Sequence, residues 1–231
     1  MLNNRAGQET QVREDELVSG IAHEIKNPLA SIQGFLQLLA RRVEEDTTAL
    51  YYVHMIISEL NRLQELVEDY LCFGCIKVAP VTVCDPGEIV DNVVALSQAE
   101  AARRGIKIAV KKSLCPRIEA APKLLQQLLW NLMTNALAAL SNGGMITLEL
   151  RLADDNWLQI ICRDTGTGIP PAVLPQIFRP YFTTKEDGTG LGLPISQRIA
   201  EFHGGRLEVE SKLGSGTTFI LWLPLKQGIR E

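Results

Sequence analysis

The chain has 231 residues, 46% of them hydrophobic and 22% charged, which suits one or two domains with a buried core and excludes a disordered chain. The formal net charge of −4 gives no general attraction toward nucleic acid or anionic lipid. No apolar run approaches the roughly 18 residues a membrane-crossing helix needs, and residues 1–16 lack the apolar segment of a signal peptide.

Residues 1–16 read as a polar linker. The spacing then predicts a long amphipathic helix over 17–42, with apolar residues at Val18, Ile21, Ile25, Leu29, Ile32, Leu36 and Leu39. These steps of three and four form the seam of a bundle or coiled coil. Pro28 lies inside it, removes a backbone donor and crowds the carbonyl of Glu24, so a kink is expected there. After a polar turn near Glu44 to Thr47, a second helix is predicted from Thr48 to Cys72, its seam running from Val53 through Ile56, Leu60, Leu63 and Val67 to Tyr70. A hairpin with so narrow a stripe buries little alone. Pairing with a second copy gives a four-helix bundle, so a homodimer through 17–73 is expected.

Residues 74–84 read as a linker, with Val81 and Val83 able to form a short strand. Asp85 then caps a helix beginning at Pro86, with Glu88 three positions on, which Gly105 can end. Further on come a strand at 106–110, a helix at 122–140, a strand pair at 145–152 and 157–162, and a Gly/Pro-rich loop with one short helix near 171–178. A helix at 194–202 and strands at 206–211 and 217–223 complete an α/β layer of helices on a mixed sheet, from 85 to 231. The five cysteines are odd in number and scattered, which fits a reduced cytosolic interior. Cys72 and Cys75 form a CxxC without a second close pair, so a zinc site is not expected. Trp130, Trp157 and Trp222 are expected in the core.

Four constellations carry chemistry. His23 and Asn27 lie one helical turn apart on one face, with Glu24 beside the imidazole. A neutral imidazole is a nucleophile near neutral pH, and an adjacent carboxylate can take its proton. On spacing alone, a solvated surface histidine is the commoner outcome. Asn131 and Asn135 share a face of the 122–140 helix, where asparagine is a poor helix former and an amide oxygen suits magnesium. Asp164, at a strand end before Gly166 and Gly168, can accept from an adenine amino group, although a plain turn is also consistent. Gly188, Gly190, Leu191 and Gly192 lead into a helix and expose backbone N–H groups suited to phosphate. That run is neither a P-loop nor a dinucleotide fingerprint.

The order His-Glu-x-x-Asn-Pro, Asn-x-x-x-Asn, Asp-x-Gly-x-Gly, Phe-x-x-x-Phe and Gly-x-Gly-x-Gly resembles the H, N, G1, F and G2 boxes of sensor histidine kinases. The F box is Phe178 to Phe182 followed by Thr184 and Lys185, and Gly214 to Phe219, including Thr217, looks like the final box. The resemblance covers about 16–224 and is closest in kind to sporulation and nitrogen-regulator kinases. It implies an α+β protein: a dimeric helical hairpin bearing the phospho-accepting His23, then a Bergerat-type ATP-binding sandwich. It further implies Glu24 as base, Asn135 as magnesium ligand, Asp164 as adenine acceptor and residues 178–192 as a lid. The implied activity is that of a protein histidine kinase using ATP and Mg2+ and passing phosphate to a response regulator receiver domain. Asn27 could also position a water for hydrolysis of the regulator's phosphoaspartate. An upstream sensor domain is expected to be absent from this chain, which is expected to be cytoplasmic, with membrane anchoring of a longer parent left open. Ala138 stands where many relatives carry lysine, so a phosphate contact falls to Lys185 or Arg179, and Ala120-Ala121 replaces a common Gly-Asp. The alternatives are a same-fold ATPase that does not phosphorylate histidine, opposed by the His23 motif, and a non-catalytic dimerisation scaffold, opposed by the intact nucleotide boxes.

Overall fold

A computed structural model of the chain describes residues 29–43, 46–75, 79–113, 115–140, 143–153, 156–185 and 188–225. The chain divides into two compact units, Met1–Lys77 and Val78–Glu231.

In the first unit, residues 29–42 are helical (α1) and α2 spans Thr47–Cys75. Asp46 starts α2, its Oδ1 accepting from the N–H groups of Thr48 and Ala49 at 3.0 Å each, which satisfies two donors the first turn would leave open. The helix runs through Gly74 to Cys75, three residues beyond the predicted end at Cys72. Glycine lowers helix propensity but does not forbid the conformation. Cys72 and Cys75 therefore both lie on this helix. Val53 and Leu60 of the seam are buried, whereas Phe35, Leu38, Tyr52, Met55, Ile56 and Leu63 are exposed, Phe35 at 71%. The predicted kink at Pro28, with His23, Glu24 and Asn27, lies outside the described residues.

The second unit contains a five-stranded sheet in the order β2-β4-β5-β7-β6. Its strands are β2 Ile106–Lys112, β4 Gly144–Leu152, β5 Trp157–Asp164, β6 Arg206–Lys212 and β7 Gly216–Pro224. Strands β2 and β4 are parallel, and the other neighbours are antiparallel. Helices α3 (Pro86–Arg103), α4 (Pro122–Ala139) and α5 (Gly192–Phe202) pack on this sheet. Their contact layer is apolar and fully buried, with Leu125, Leu128, Leu129 and Leu132 of α4 meeting a sheet that buries Ile146, Leu148, Leu158 and Ile160. Alternate positions on the sheet carry polar partners instead. Arg151 donates to Gln159 at 2.8 Å and Arg163 to Thr218 at 3.2 Å. The two-residue period of a strand separates these faces.

Local chemistry accounts for the element ends. Asp85 caps α3 by accepting from Gly87 N–H at 2.7 Å, and Pro86 occupies the first turn, where its missing donor costs nothing. Strand β1, Thr82–Cys84, pairs antiparallel with β3, Ile118–Ala120, which is too short for its buried–exposed–buried alternation to stand out in the sequence. Two expectations are corrected. Residues 171–178 hold only a single 3-10 turn, Leu174–Gln176, because Pro175 removes a donor a longer helix needs. The tryptophans are not core: Trp130 is 38% exposed, while Trp157 and Trp222 are half-buried and meet edge to face at 6.4 Å. Arg206 stacks 4.1 Å from the Trp222 ring centroid, and Trp222 Nε1 donates to Glu208 at 2.9 Å.

Candidate active site

The second unit brings several residues of the sequence boxes against the C-terminal half of α4. Asp164 closes β5, and its Oδ1 accepts from Gly166 N–H at 2.8 Å and from Thr217 N–H at 3.3 Å. Burial pushes its carboxyl above the usual carboxylate range, against the opposing pull of those two N–H donors. Cys162, two residues earlier and fully buried, has its thiol pushed up to about 12 by burial and by the nearby Asp164 charge, which keeps it unreactive.

The loop after Asp164 docks on the C-terminal end of α4, where Thr167 N–H donates to Ala139 O at 3.3 Å. A Cβ on Gly166 would stand 2.5 Å from that same carbonyl. The glycine is thus required first by protein packing, and not only by approach of a ligand. Asn135 lies one helical turn before Ala139. Across the loop, Ile169 N–H donates to Ser211 Oγ at 2.8 Å, and Ser211 Oγ lies 3.0 Å from Thr217 Oγ1. Ser211 was not foreseen. It stands in no glycine box, and only the pairing of β6 with β7 sets it opposite Thr217.

The two asparagines of α4 have different surroundings. Asn131 Nδ2 donates to Gly192 O at 3.1 Å and to Ser196 Oγ at 3.4 Å, tying α4 to the start of α5. Asn135 Oδ1 accepts from Lys185 Nζ at 2.7 Å. The Lys185 side chain is exposed as a whole, but the partial enclosure of its ammonium lowers its pKa. Phe178 and Phe182 are half-buried and bracket a turn in which Arg179 O accepts from Phe182 N–H at 3.2 Å. Tyr181 between them has φ +64 and its backbone N–H donates to Gly190 O at 3.0 Å, so the F-box turn is stitched to the glycine run. A Cβ on Gly190, at φ +69, would lie 2.5 Å from the Tyr181 backbone. Leu191 is buried and precedes α5 without any side-chain cap, and Gly188 N–H donates to Lys185 O at 3.4 Å. Gly168 has φ +69.

This donor set suits a hard cation. Asn135 Oδ1 already takes an ammonium, and a neutral amide oxygen suits magnesium, which keeps several waters and shares phosphate oxygens. Among the described residues, no cluster of three or more His, Cys, Asp or Glu could form a cage of its own.

Residues 13–77 match the His Kinase A (phospho-acceptor) domain, and residues 120–227 match the family of histidine kinase-, DNA gyrase B-, and HSP90-like ATPases. The chain belongs to the sensor histidine kinase family. Sensor histidine kinase ZraS of Klebsiella oxytoca is 36% identical over 226 residues, which cover 94% of this chain and 49% of ZraS. The chain therefore spans about half the length of that curated relative. Among solved structures, full-length ShkA in complex with AMPPNP superposes with a TM-score of 0.75 at 28% identity, covering 92% of this chain and 46% of ShkA. Histidine kinase ThkA in complex with response regulator protein TrrA gives 0.67 at 28% identity, covering 93% of this chain and 63% of the other. No helix among the described residues of this histidine kinase chain is long and apolar enough to cross a membrane.

Proposed function

We propose that residues 85–231 bind Mg-ATP, that His23 takes the γ-phosphoryl group, and that the phosphate passes to an aspartate of a response regulator receiver domain. The observation that carries the nucleotide half is the docking of the loop that follows Asp164 on the C-terminal end of α4, one turn beyond Asn135, through the Thr167 to Ala139 hydrogen bond. The Asp164 carboxylate accepts the adenine amino group, with Thr217 beside it. Gly166 and Gly168 shape the wall, and Asn131 fixes the approach of Gly192. Asn135 would hold the metal through its Oδ1, and the metal would neutralise charge on the phosphoryl group in transfer. Lys185 and the N–H groups of Gly188, Gly190, Leu191 and Gly192 meet phosphate oxygens, while Phe178 and Phe182 anchor the covering loop.

In the transfer, a His23 ring nitrogen forms the N–P bond as the bond from γ-phosphorus to the bridging oxygen breaks, ADP leaves, and Glu24 accepts the ring proton. Residues 17–73 form the dimer, and the exposed apolar side chains of α1 and α2 support that reading. ShkA with AMPPNP and ThkA with TrrA support the nucleotide and the regulator partner, respectively.

Labelling with γ-phosphate-labelled ATP tests the proposal. The product should be acid-labile and base-stable, as phosphohistidine is. His23→Gln should abolish labelling and leave nucleotide affinity within about twofold, because the nucleotide residues belong to the other unit. Full labelling of that variant would refute the assignment.

A further inference from the structure

Lys185 and Asn135 are 50 positions apart in sequence, yet Lys185 Nζ donates to Asn135 Oδ1 at 2.7 Å. The atom it occupies is the one assigned above to the metal. The segment that carries Lys185 is turned by its own hydrogen bonds, with Lys185 N–H donating to Thr183 Oγ1 at 3.1 Å and Gly188 N–H to Lys185 O at 3.4 Å. The ammonium is therefore presented to α4 by a shaped turn.

A magnesium ion takes an oxygen ligand at about 2.0–2.1 Å. On the second lone pair of the same amide oxygen it would sit roughly 4 Å from the ammonium, and two cations that close repel strongly in a partly enclosed site. Their occupancy of Asn135 Oδ1 is therefore competitive. The phosphates that arrive with the metal offer the ammonium a charged acceptor in place of a neutral one, and such hydrogen bonds are the stronger kind.

We propose that Lys185 is a built-in stand-in cation: it holds Asn135 Oδ1 in the nucleotide-free protein, and the divalent metal displaces it onto the phosphates. The loop that carries Lys185 is thus fastened to α4 before nucleotide arrives and to the nucleotide afterwards. The exchange of partners makes metal binding the signal that moves the loop. This rests on the nucleotide reading above and adds to it a coupling between metal and loop.

Two measurements on the full chain test it. The first is amide hydrogen exchange across 183–192 without nucleotide, in wild type, Lys185→Met, Asn135→Ala and the double variant. Each single variant should exchange roughly tenfold faster, the ratio expected for one hydrogen bond from a charged group. The double variant should go no further, because both changes remove the same tie. Unchanged exchange in Lys185→Met, or additive acceleration, would overturn the stand-in role. The second is the Mg2+ concentration that half-saturates the tightening of AMPPNP binding. Lys185→Met should lower it severalfold, since the competitor is gone, even though affinity for AMPPNP itself weakens. A raised or unchanged Mg2+ midpoint would overturn the competition. The exchange arm uses no nucleotide, so its failure leaves the kinase reading intact. Failure of wild type to bind AMPPNP would instead strike the kinase reading.

Discussion

Asp164 is a carboxylate placed where burial opposes its charge. Its pKa lies above the usual range in the folded protein, so the fold favours the protonated form. Stability from this group is fully present below the unfolded value and lost as pH rises through the raised folded value. At neutral pH the ionised carboxylate is therefore a cost to stability, which the role proposed for it would explain. Asp164→Asn keeps an Oδ1 for the Gly166 and Thr217 donors, so at pH 7.5 its melting temperature should equal or exceed that of wild type. Selectivity for ATP over GTP should fall, because the amide can present a donor toward the adenine amino group. In wild type, adenine affinity should drop on acidification at a pH above the ordinary aspartate value of about 3.9, and in Asp164→Asn that acid limb should vanish. A calorimetric melt and a nucleotide titration across pH check both halves.

His203 is a second residue whose surroundings define its state. It is buried, its Nε2 accepts from Ala121 N–H at 2.9 Å, and Nδ1 lies 2.8 Å from Ile199 O. A ring that accepts at Nε2 and donates at Nδ1 is neutral. Its helix-end position alone suggests a cation answering the macrodipole, but the structure makes it the partner of the uncapped start of α4. His203→Leu strands the Ala121 donor and should cost about 2 kcal/mol, a melting-temperature loss of roughly 4–8 °C for a protein of this size. A loss below one degree would show that the bond contributes nothing net.

At the scale of elements, the sequence was most legible where local chemistry decides the outcome. Asp85 with Pro86 opens α3, and Gly105, at φ +65, closes it. The order of strands and helices in the second unit follows from such punctuation and from apolar spacing. It failed where pairing across the chain decides. Strand β3 exists because β1 lies beside it. Trp157 and Trp222 read as core because they are large and apolar, yet alternation puts them on the polar side of β5 and β7, where Arg206 covers them. Within the site, the boxes carried Asp164, Asn131 and Asn135. Spacing could not show that Asn131 serves the start of α5 while Asn135 meets Lys185, because the partners arrive 61 and 50 positions later. The stack can be tested directly. Arg206→Ala should destabilise by about 1 kcal/mol, through loss of a cation–π contact and of cover over two rings, read as a lower denaturant midpoint with unchanged slope.

At the scale of the molecule, the two units differ in what they need from a second chain. The second unit has a closed apolar core of its own, whereas the described helices of the first leave Phe35, Leu38, Met55 and Ile56 in solvent. A fragment of residues 79–231, which retains β1 and its pairing with β3, should be monomeric and bind ATP. The full chain should be a dimer at micromolar concentration. Light scattering separates the two, and a monomeric full chain would contradict the bundle.

The hydrogen bond between Thr217 N–H and Asp164 Oδ1 joins residues separated by 53 positions. Between them lie the 165–191 loop, helix α5 and strand β6, so that one contact spans a long excursion of the chain. For the loop within it the entropic cost of closure grows only logarithmically, and doubling the length of a flexible loop adds only about 0.6 kcal/mol. Natural selection can therefore lengthen, shorten or re-sequence the 165–191 loop with little penalty to the sheet. The Asp164 end is different, because Asp164 and Thr217 stand on neighbouring strands whose register admits no insertion. A lineage of such proteins should diversify fastest in that loop and slowest where Asp164 meets Thr217.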